Sequence, residues 1–372
     1  MIRLSKSSLG KAEKNSVMKV LNKEFLGMGE EVKLFENQLS DFFNREVVCV
    51  VNGTSALHLA LQAIGVSKGD EVLVQSITYL SSYQSITATG AIPISCDINI
   101  DNMSINLEDA KKKITSKTKA IMPVLYAGNP GNLVEVYKFA KQHKINVVED
   151  SAHAFGSMLN NKRIGSFGDI SCFSFDGIKN ITSGEGGCIV TNNKKVLSHV
   201  RDARLLSVAK DSLLRVQNKR SWEFDVKFQG WRYHMSNIMA AIGIIQLKKI
   251  KNIKQKRYKL VKRYINNLEK NKDIKLFDFD YQNIIQHIFP IRILKLKDRA
   301  KLQKFFLKNK IQIGYHYFPN HKLTYFKKNK NYFLNNTNII QNEIITLPLH
   351  MDLKISEVDY VCNILKEWLD NH

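Results

Sequence analysis

The sequence predicts an α/β protein in which a large domain with a mostly parallel central sheet is followed by a smaller C-terminal α+β domain. Two observations favour this fold class. Short apolar, β-rich runs alternate with helical patterns over the first two-thirds of the 372 residues, as is typical of parallel sheets covered by helices on both faces. After Met235 the alternation stops, and residues 236–270 have the pattern of one long helix or of two helices in series.

Seven runs of apolar, often β-branched residues are the expected strands of the large domain. In chain order they are VVCVV (47–51), EVLVQSI (71–77), IPISCDI (92–98), AIMPVLY (120–126), INVVED (145–150), ISCFSF (170–175) and CIVTN (188–192). Helical patterns lie between several of them, for example at 55–64 and 133–143. Because helices connect the strands, we expect most strands to run parallel in one sheet.

The C-terminal part is expected to be a small domain of mixed elements. Strands are predicted at 287–294 and 311–318, helices at 297–309 and 355–369, and a Lys/Asn-rich loop at 326–338. In the last helix Val358, Val361, Leu365 and Trp368 recur at helical spacing. We therefore divide the chain into a large domain at 1–250, which includes the N-terminal segment and the linking helix, and a small domain at 251–372.

Cysteine content and charge narrow the function classes. The five cysteines are widely spaced and form no CxxC pair, which argues against a disulfide framework and a zinc site, so we expect small buried side chains and no metal. The net charge of +22 would suit nucleic acid, but the lysines are scattered in a chain rich in Asn and Ile. We expect no nucleic-acid partner, although the charge favours a substrate that carries phosphates.

Neither a targeting segment nor a membrane span is expected. The N-terminus MIRLSKSSLGKAEKN has no apolar core and no cleavage site of small residues. The longest clean apolar run, at 238–245, is far shorter than the roughly 18 residues that would suggest a span. A cytoplasmic location is the resulting expectation.

The first of three motifs with chemical content is INVVEDSAHAFGS at 145–157. An apolar strand ends there in Glu149 and Asp150, and ligands of open α/β sheets bind at the carboxyl ends of strands. A carboxylate in such a place costs desolvation free energy unless it meets a cation. Taken alone, the pair could also be a helix N-cap or a surface acid.

The second motif, ISCFSFDGIKNITSGEGGCIVTNN at 170–193, places Lys179 between two apolar strands. Several glycines beside it let the backbone pack closely. Most lysines of this basic chain are surface residues. A lysine held in a pocket, however, loses solvation, so that its pKa falls and it becomes a competent amine nucleophile.

The third motif is VVNGTSALHLALQAIG at 50–65, where a strand leads into a helix. Thr54 and Ser55 are predicted to cap this helix. Free N–H groups at the helix start, together with two hydroxyls, would form a phosphate cradle, although capped helices after strands are common.

The three motifs together fit one cofactor. Pyridoxal phosphate needs a lysine for its aldehyde, an acid for its pyridinium nitrogen and a cradle for its phosphate. The acid keeps the ring nitrogen protonated, so that the ring can accept electrons. Because the three groups follow different strands of one sheet, we expect them to meet in a shared site.

These motifs resemble the DegT/DnrJ/EryC1/StrS family of sugar aminotransferases, which belong to the fold type I pyridoxal-phosphate enzymes. The resemblance runs from GMGEEVKLFE (27–36) to LPLHMDLKISEVDYV (347–361). Its most specific parts are NGTSALHLAL, EDSAHAFGS and SFDGIKNITSGEGG, in that order. The resemblance implies a fold type I architecture and pyridoxal 5'-phosphate as the cofactor.

Three residues would carry the chemistry if the resemblance holds. Lys179 matches the Schiff-base lysine, which also shuttles the proton between substrate and cofactor. Asp150 matches the acid at the pyridine nitrogen, and His153 matches a position that lies against the cofactor ring.

The remaining cofactor contacts are also implied by the resemblance. Gly53, Thr54 and Ser55 match the phosphate-binding turn, and Ser174 matches a further phosphate ligand. Tyr79 in SITYLSS matches the aromatic residue that stacks on the ring.

The chain departs from the family pattern at several positions. Asp176 stands where many members have His. In GWRYHMS (230–236), Arg232 replaces an Asn that commonly reaches the phosphate from the neighbouring subunit, and His234 replaces a common Arg. A cation at Arg232 could still bind a phosphate, which makes it a candidate cofactor contact. The retained Lys179 disfavours the dehydratase branch of the family, in which histidine replaces the lysine.

The resemblance implies a two-step transfer in a homodimer with shared active sites. The amino group would pass from L-glutamate to a keto sugar attached to a nucleoside diphosphate, at C4 or C3, for a surface polysaccharide or another glycan. Expected substrate-facing segments are 24–29, 205–232 and 314–322. Four candidates lie in the last of these, each of which could equally be an ordinary polar loop residue: His316, Tyr317, Asn320 and His321.

Two other classes stay open at this point. One is a different pyridoxal-phosphate enzyme on the same fold, such as a lyase or a cysteine desulfurase-like enzyme, although no cysteine lies in a Gly/Ser-rich loop. The other is a non-enzymatic regulator or nucleic-acid binder that uses the basic surface, although no DNA-binding module is recognisable.

Overall fold

The computed structural model describes residues 1–208, 225–294, 296–327 and 332–371. Its strands are β1 (Val47–Val50), β2 (Glu71–Gln75), β3 (Ile92–Cys96), β4 (Thr118–Met122), β5 (Asn146–Asp150), β6 (Met158–Leu159), β7 (Lys162–Arg163), β8 (Ile170–Ser174), β9 (Gly187–Val190), β10 (Ile274–Lys275), β11 (Phe289–Ile293) and β12 (Ile344–Leu347).

The described helices follow the same chain order. They are α1 (Lys11–Asn22), α2 (Glu30–Phe43), α3 (Gly53–Ala63), α4 (Leu80–Ala88), α5 (Leu107–Lys111), α6 (Leu133–His143), α7 (Lys194–Ala203), α8 (Asn237–Lys248), α9 (Ile250–Leu268), α10 (Arg299–Lys308), α11 (Asn335–Glu343) and α12 (Ile355–Asp370). Two short 3-10 helices span Tyr126–Gly128 and Asn320–Lys322.

The seven strands predicted for the large domain form one sheet in the order β1-β9-β8-β5-β4-β2-β3. Neighbours from β8 to β3 pair in parallel, whereas β9 runs antiparallel to both β1 and β8. Because β9 reverses direction between two strands of like direction, the carboxyl ends of β1, β8, β5, β4, β2 and β3 meet at one edge. The predicted α/β fold with a mostly parallel sheet is confirmed.

Both faces of this sheet are buried. Alternate residues of β1 point to opposite sides, with Val47 and Cys49 in one apolar cluster and Val48 and Val50 in the other. Helices α2, α6 and α8 cover the first face, and α3, α4 and α7 cover the second. All five cysteines are buried and free, as their apolar sequence context indicated.

The C-terminal part builds a second, antiparallel sheet in the order β10-β11-β12. Helices α9, α10 and α12 pack on it, and the predicted pair of helices in series is present as α8 and α9. The domain boundary near residue 250 stays a prediction.

Two predictions for this part are wrong. Residues 311–318 form no regular strand, because only Ile311 and Gly314 make isolated bridges, to Ile2 and Thr346. The third strand of the sheet is instead β12. The loop expected at 326–338 turns into helix α11 at Asn335, and residues 328–331 lie outside the described part.

The start of α11 depends on a partner distant in sequence. Oδ1 of Asp97 accepts hydrogen bonds from the N–H and the hydroxyl of Thr337, and Oδ2 accepts the N–H of Asn336. Asp97 directly follows β3 of the large sheet, so a residue of the large domain caps a helix of the C-terminal part. A local sequence pattern cannot reveal such a cap.

Among the described residues, no helix combines the length and apolar character that crossing a bilayer requires. The same residues contain no group of three or more His, Cys, Asp or Glu side chains placed to hold a metal ion.

Candidate active site

A cavity of about 400 Å³ opens at the carboxyl edge of the large sheet. It is lined from the β1–α3 turn, the start of α4, the end of β5, the β8–β9 loop and residues 316–317. Seven of the predicted site residues line it: Gly53, Thr54, Tyr79, Asp150, His153, Ser174 and Lys179. Thus the three sequence motifs meet in one site.

Lys179 is held by the loop between β8 and β9. Its N–H donates to the carbonyl of Asp176, and the neighbouring Asn180 side chain donates to the carbonyls of Phe155 and Ile285. Burial lowers the pKa of Lys179 to about 8, against the opposing effect of Asp150 and Asp176. A large share of this amine is therefore neutral in mildly alkaline solution, as a nucleophile requires.

Asp150 is the last residue of β5 and is buried. Its Oδ2 accepts a 2.6 Å hydrogen bond from the Ser82 hydroxyl, and its Oδ1 accepts the N–H of Ala152 at 3.3 Å. Burial raises the pKa of Asp150, while these two hydrogen bonds and the charge of Lys179 lower it. An ionised carboxylate at this depth favours a cationic partner in the cavity.

His153 stands beside the carboxylate as a neutral imidazole. Burial, with the charge of Lys179, holds the pKa of His153 well below its usual range. Nδ1 accepts the N–H of Ala127 at 3.2 Å, so in the neutral ring the proton sits on Nε2, which faces the Tyr317 hydroxyl at 3.1 Å. The ring also packs on that of His287, with centroids 4.4 Å apart.

Helix α3, which follows the turn after β1, has a different N-cap from the predicted one. Asn52, and neither Thr54 nor Ser55, is the N-cap, because its side chain accepts the N–H of Ser55 at 2.8 Å. The hydroxyl of Thr54 instead pairs with that of Ser81 at 2.7 Å. Among the described residues, no acceptor takes the N–H of Gly53, which leaves this group available to an anion.

Gly53 brings the turn against Ser174. A Cβ atom at Gly53 would lie 2.8 Å from the Cβ and 3.2 Å from the hydroxyl of Ser174, which is closer than real side chains pack. The absence of a side chain therefore sets the distance between the turn and the end of β8.

Tyr79 and Tyr317 form the aromatic side of the cavity. The Tyr79 side chain is 58% exposed, and its ring centroid lies 5.7 Å from that of Tyr317. An exposed ring at the cavity mouth has a free face for a planar ligand.

Two predicted cofactor residues do not line this cavity. Ser55 is buried in the first turn of α3. Arg232 is exposed and pairs with Leu205 in an isolated bridge, so its role stays a prediction that involves another subunit. Residues 209–224, in the expected substrate-facing segment 205–232, lie outside the described part.

The four candidates in 314–322 divide into two pairs. His316 and Tyr317 line the cavity. Asn320 instead donates to the carbonyls of Ser76 and Thr78, and His321 bonds the Ser76 hydroxyl at 2.6 Å, so this second pair fixes the loop to the end of β2.

Sequence reasoning missed Ser81, Ser82, Glu185 and His287. The hydroxyl-rich run SITYLSS after β2 was the available signal for the two serines. No sequence signal pointed to His287, because it reaches the cavity from the start of a strand in the C-terminal part.

The residues present fit pyridoxal phosphate. The cavity combines an amine of lowered pKa, a buried carboxylate that lacks a full counter-charge, and a glycine turn whose N–H and neighbouring hydroxyls suit an anion.

Comparisons with known proteins identify the family of the whole chain. The DegT/DnrJ/EryC1/StrS aminotransferase family model matches residues 7–366. The uncharacterized protein MJ1066 of Methanocaldococcus jannaschii is 31% identical over 96% of this chain and 95% of its own length.

Solved structures extend the likeness to the whole fold. PseC of Helicobacter pylori, an aminotransferase involved in the biosynthesis of pseudoaminic acid, superposes with a TM-score of 0.93 at 26% identity, over 100% of both chains. Spr1654 of Streptococcus pneumoniae, described as a sugar aminotransferase, gives 0.89 at 30% identity in its PMP form, over 99% of this chain and 98% of that one. Spr1654 is also known in a PLP form, and the aminotransferases of this family depend on pyridoxal phosphate. The chain belongs to the DegT/DnrJ/EryC1/StrS aminotransferase family.

Proposed function

We propose that this aminotransferase moves an amino group from L-glutamate to a keto-deoxy sugar linked to a nucleoside diphosphate. The observation that carries the proposal is the meeting of Lys179 and Asp150 in one cavity of about 400 Å³ beside a glycine turn. The sugar substrate is supported by Spr1654, which is described as a sugar aminotransferase.

Lys179 and Asp150 divide the proton chemistry. When bound, pyridoxal phosphate supplies an electron-accepting ring. Asp150 lines the cavity and would accept a hydrogen bond from a protonated ring nitrogen. The Lys179 amine, with its pKa lowered to about 8, both gives up and takes back a proton near the working pH, as a general acid–base group needs.

The other residues of the site would bind the cofactor phosphate and orient the cofactor ring. Gly53, Thr54 and Ser174 would bind the phosphate through N–H and hydroxyl groups. His153 stays neutral and is oriented by Ala127 and Tyr317, so it offers a flat ring face without adding charge near Asp150.

The acceptor is expected to bind at the cavity mouth, between Tyr79 and His316. The net charge of +22 favours a diphosphate-bearing substrate over a neutral sugar. Thymidine, uridine and guanosine diphosphates, and keto groups at C4 or C3, remain alternatives. The product would be an amino sugar for a surface polysaccharide or another glycan.

A homodimer with shared sites is part of this proposal, because exposed Arg232 would complete the phosphate site of the partner. The five free thiols fit a reducing compartment such as the cytoplasm. A desulfurase-like activity is disfavoured, since none of the five cysteines lines the cavity.

The experiment that tests the proposal is a panel of keto sugar nucleotides incubated with the protein, pyridoxal phosphate and L-glutamate. We expect 2-oxoglutarate and an amino sugar nucleotide in equal amounts from at least one member. If the protein converts glutamate with a simple keto acid but with no member of the panel, the sugar nucleotide part of the proposal is wrong.

A further inference from the structure

A second, smaller cavity of about 170 Å³ lies on the other side of the β8–β9 loop. Lys179 is part of the wall of both cavities. The second cavity is bounded by the N-terminal segment, residues 179–182, helices α8 and α9, and the loop before α12. Four of its lining residues carry a cationic group and none carries a carboxylate: Lys6, Lys179, Lys249 and Arg257.

Arg257 is the unusual member of this group. Its side chain is 3% exposed, and one terminal nitrogen donates to the carbonyls of Gln286 and His287, each at 3.0 Å. Its Nε has no acceptor, and no carboxylate in the described part of the chain lies within ion-pair distance of it. A buried guanidinium without a counter-charge is costly, and here burial lowers the pKa of Arg257 to about 10.

Two of the neighbouring cations already have carboxylate partners. Lys6 pairs with Asp352, and Lys249 pairs with Glu13. Arg257 therefore contributes positive charge that the surrounding residues leave uncompensated. The cavity wall adds polar groups of Ser8 and Asn252, which can donate hydrogen bonds to an oxygen ligand.

We propose that this cavity binds a small oxyanion, of the inorganic phosphate or short carboxylate class, as the counter-ion of Arg257. The volume admits such an ion but excludes a nucleotide. A guanidinium is suited to both groups, because its fork of donors matches two oxygen atoms. The site is separate from the cofactor cavity and goes beyond the proposed transamination.

The anion would lie close to the catalytic machinery. Burial holds the pKa of His287 well below its usual range, and the charges of Lys179 and Arg257 lower it further. The His287 ring also packs on that of His153. A bound anion would offset part of this positive charge from the side away from the substrate.

The test uses the full chain saturated with pyridoxal phosphate, so that the cofactor phosphate site is filled. Its Tm is measured at constant pH and ionic strength while chloride is replaced by phosphate, or in a second series by acetate. We expect a rise of about 2–4 °C in at least one series. A response to phosphate alone identifies an inorganic phosphate site, and a response to both ions identifies a general oxyanion site. Equal Tm values in all three salts would overturn the proposal.

Two variants place the effect in this cavity. Arg257→Gln removes the charge and should abolish the response, but it also disturbs buried hydrogen bonds. Asn252→Asp changes an exposed residue of the cavity wall and gives Arg257 a carboxylate from the chain itself. This variant should have a raised Tm in chloride and no further rise in phosphate or acetate. Lys259→Gln, exposed on the same helix and outside the cavity lining, is the matched control and should respond as wild type. An Asn252→Asp protein that responds as wild type would also overturn the proposal.

Discussion

The hydroxyl of Ser82 donates a 2.6 Å hydrogen bond to Oδ2 of Asp150. Ser82 lies in the first turn of α4, and its hydroxyl also contacts that of Thr78 at 2.8 Å. Helix α4 thus fixes the carboxylate that faces the cavity, and Ser82 favours the ionised form of Asp150 against the effect of burial.

Asp150→Asn should reduce kcat/KM by about 10- to 100-fold, since removal of a charged hydrogen-bond partner costs about 1.5–3 kcal/mol. The amide can neither hold a proton on the ring nitrogen nor carry its counter-charge. Steady-state kinetics with glutamate measure the change, and an Asn variant with wild-type kcat/KM would contradict the role of Asp150.

Ser82→Ala should move the acid limb of the pH–rate profile to higher pH. The variant loses a hydrogen bond that lowers the pKa of Asp150, so burial raises that pKa further and the carboxylate protonates at a higher pH. Ser85→Ala, on the same helix but bonded to a backbone carbonyl, is the control and should keep the wild-type limb.

Capture of pyridoxal phosphate by the cofactor-free protein should accelerate as pH rises and level off above about pH 8. Burial lowers the pKa of Lys179 from 10.5 to about 8, and only the neutral amine attacks an aldehyde. Stopped-flow absorbance gives the rate. A midpoint near 10.5 would show that Lys179 is solvated, and Lys179→Arg should not form the covalent adduct at any pH.

Gly53→Ala should weaken cofactor binding by about 10-fold or more, because overpacking costs about 1–3 kcal/mol. The added methyl group would meet Ser174 at 2.8 Å and force the phosphate turn away from β8. Gly27→Ala is the matched control, since a Cβ there meets no atom within 4 Å. Fluorescence titration with pyridoxal phosphate should separate the two variants, and equal affinities would argue against this turn as the phosphate site.

Mixed dimers should test the proposed contribution of Arg232 to the partner's site. Lys179→Ala and Arg232→Ala proteins should each be impaired, whereas a co-expressed mixture should regain activity, because one site of each mixed dimer then has both residues intact. A mixture no more active than its components would indicate that both residues act within one subunit, or that Arg232 has no role.

The sequence was sufficient for the large sheet and the centre of the site. All seven strands could be predicted because each contains buried apolar residues, although β4 ends at Met122, well before the end of the predicted run AIMPVLY. Asp150 is the last residue of β5, and Lys179 follows β8. Their proximity follows from the common direction of β5 and β8.

Features that depend on contacts between distant segments could not be predicted. The segment 311–318 has a strand-like sequence, yet its Tyr317 hydroxyl contacts His153 in the cavity. Strand β12 pairs with β11 instead. The first turn of helix α11 donates hydrogen bonds to Asp97, which lies far away in sequence. The N-cap Asn52 was overlooked beside two other good capping residues, although its side-chain hydrogen bond is local.

Absorbance spectra of the purified protein and of Lys179→Ala, before and after addition of L-glutamate, test the central claim most directly. We predict that the wild-type protein is yellow with bound pyridoxal phosphate and bleaches to the pyridoxamine form on addition of glutamate, whereas Lys179→Ala lacks this response. A wild-type protein that binds no pyridoxal phosphate, or a Lys179→Ala protein that bleaches as fast as wild type, would contradict the assignment of Lys179 as the reacting amine.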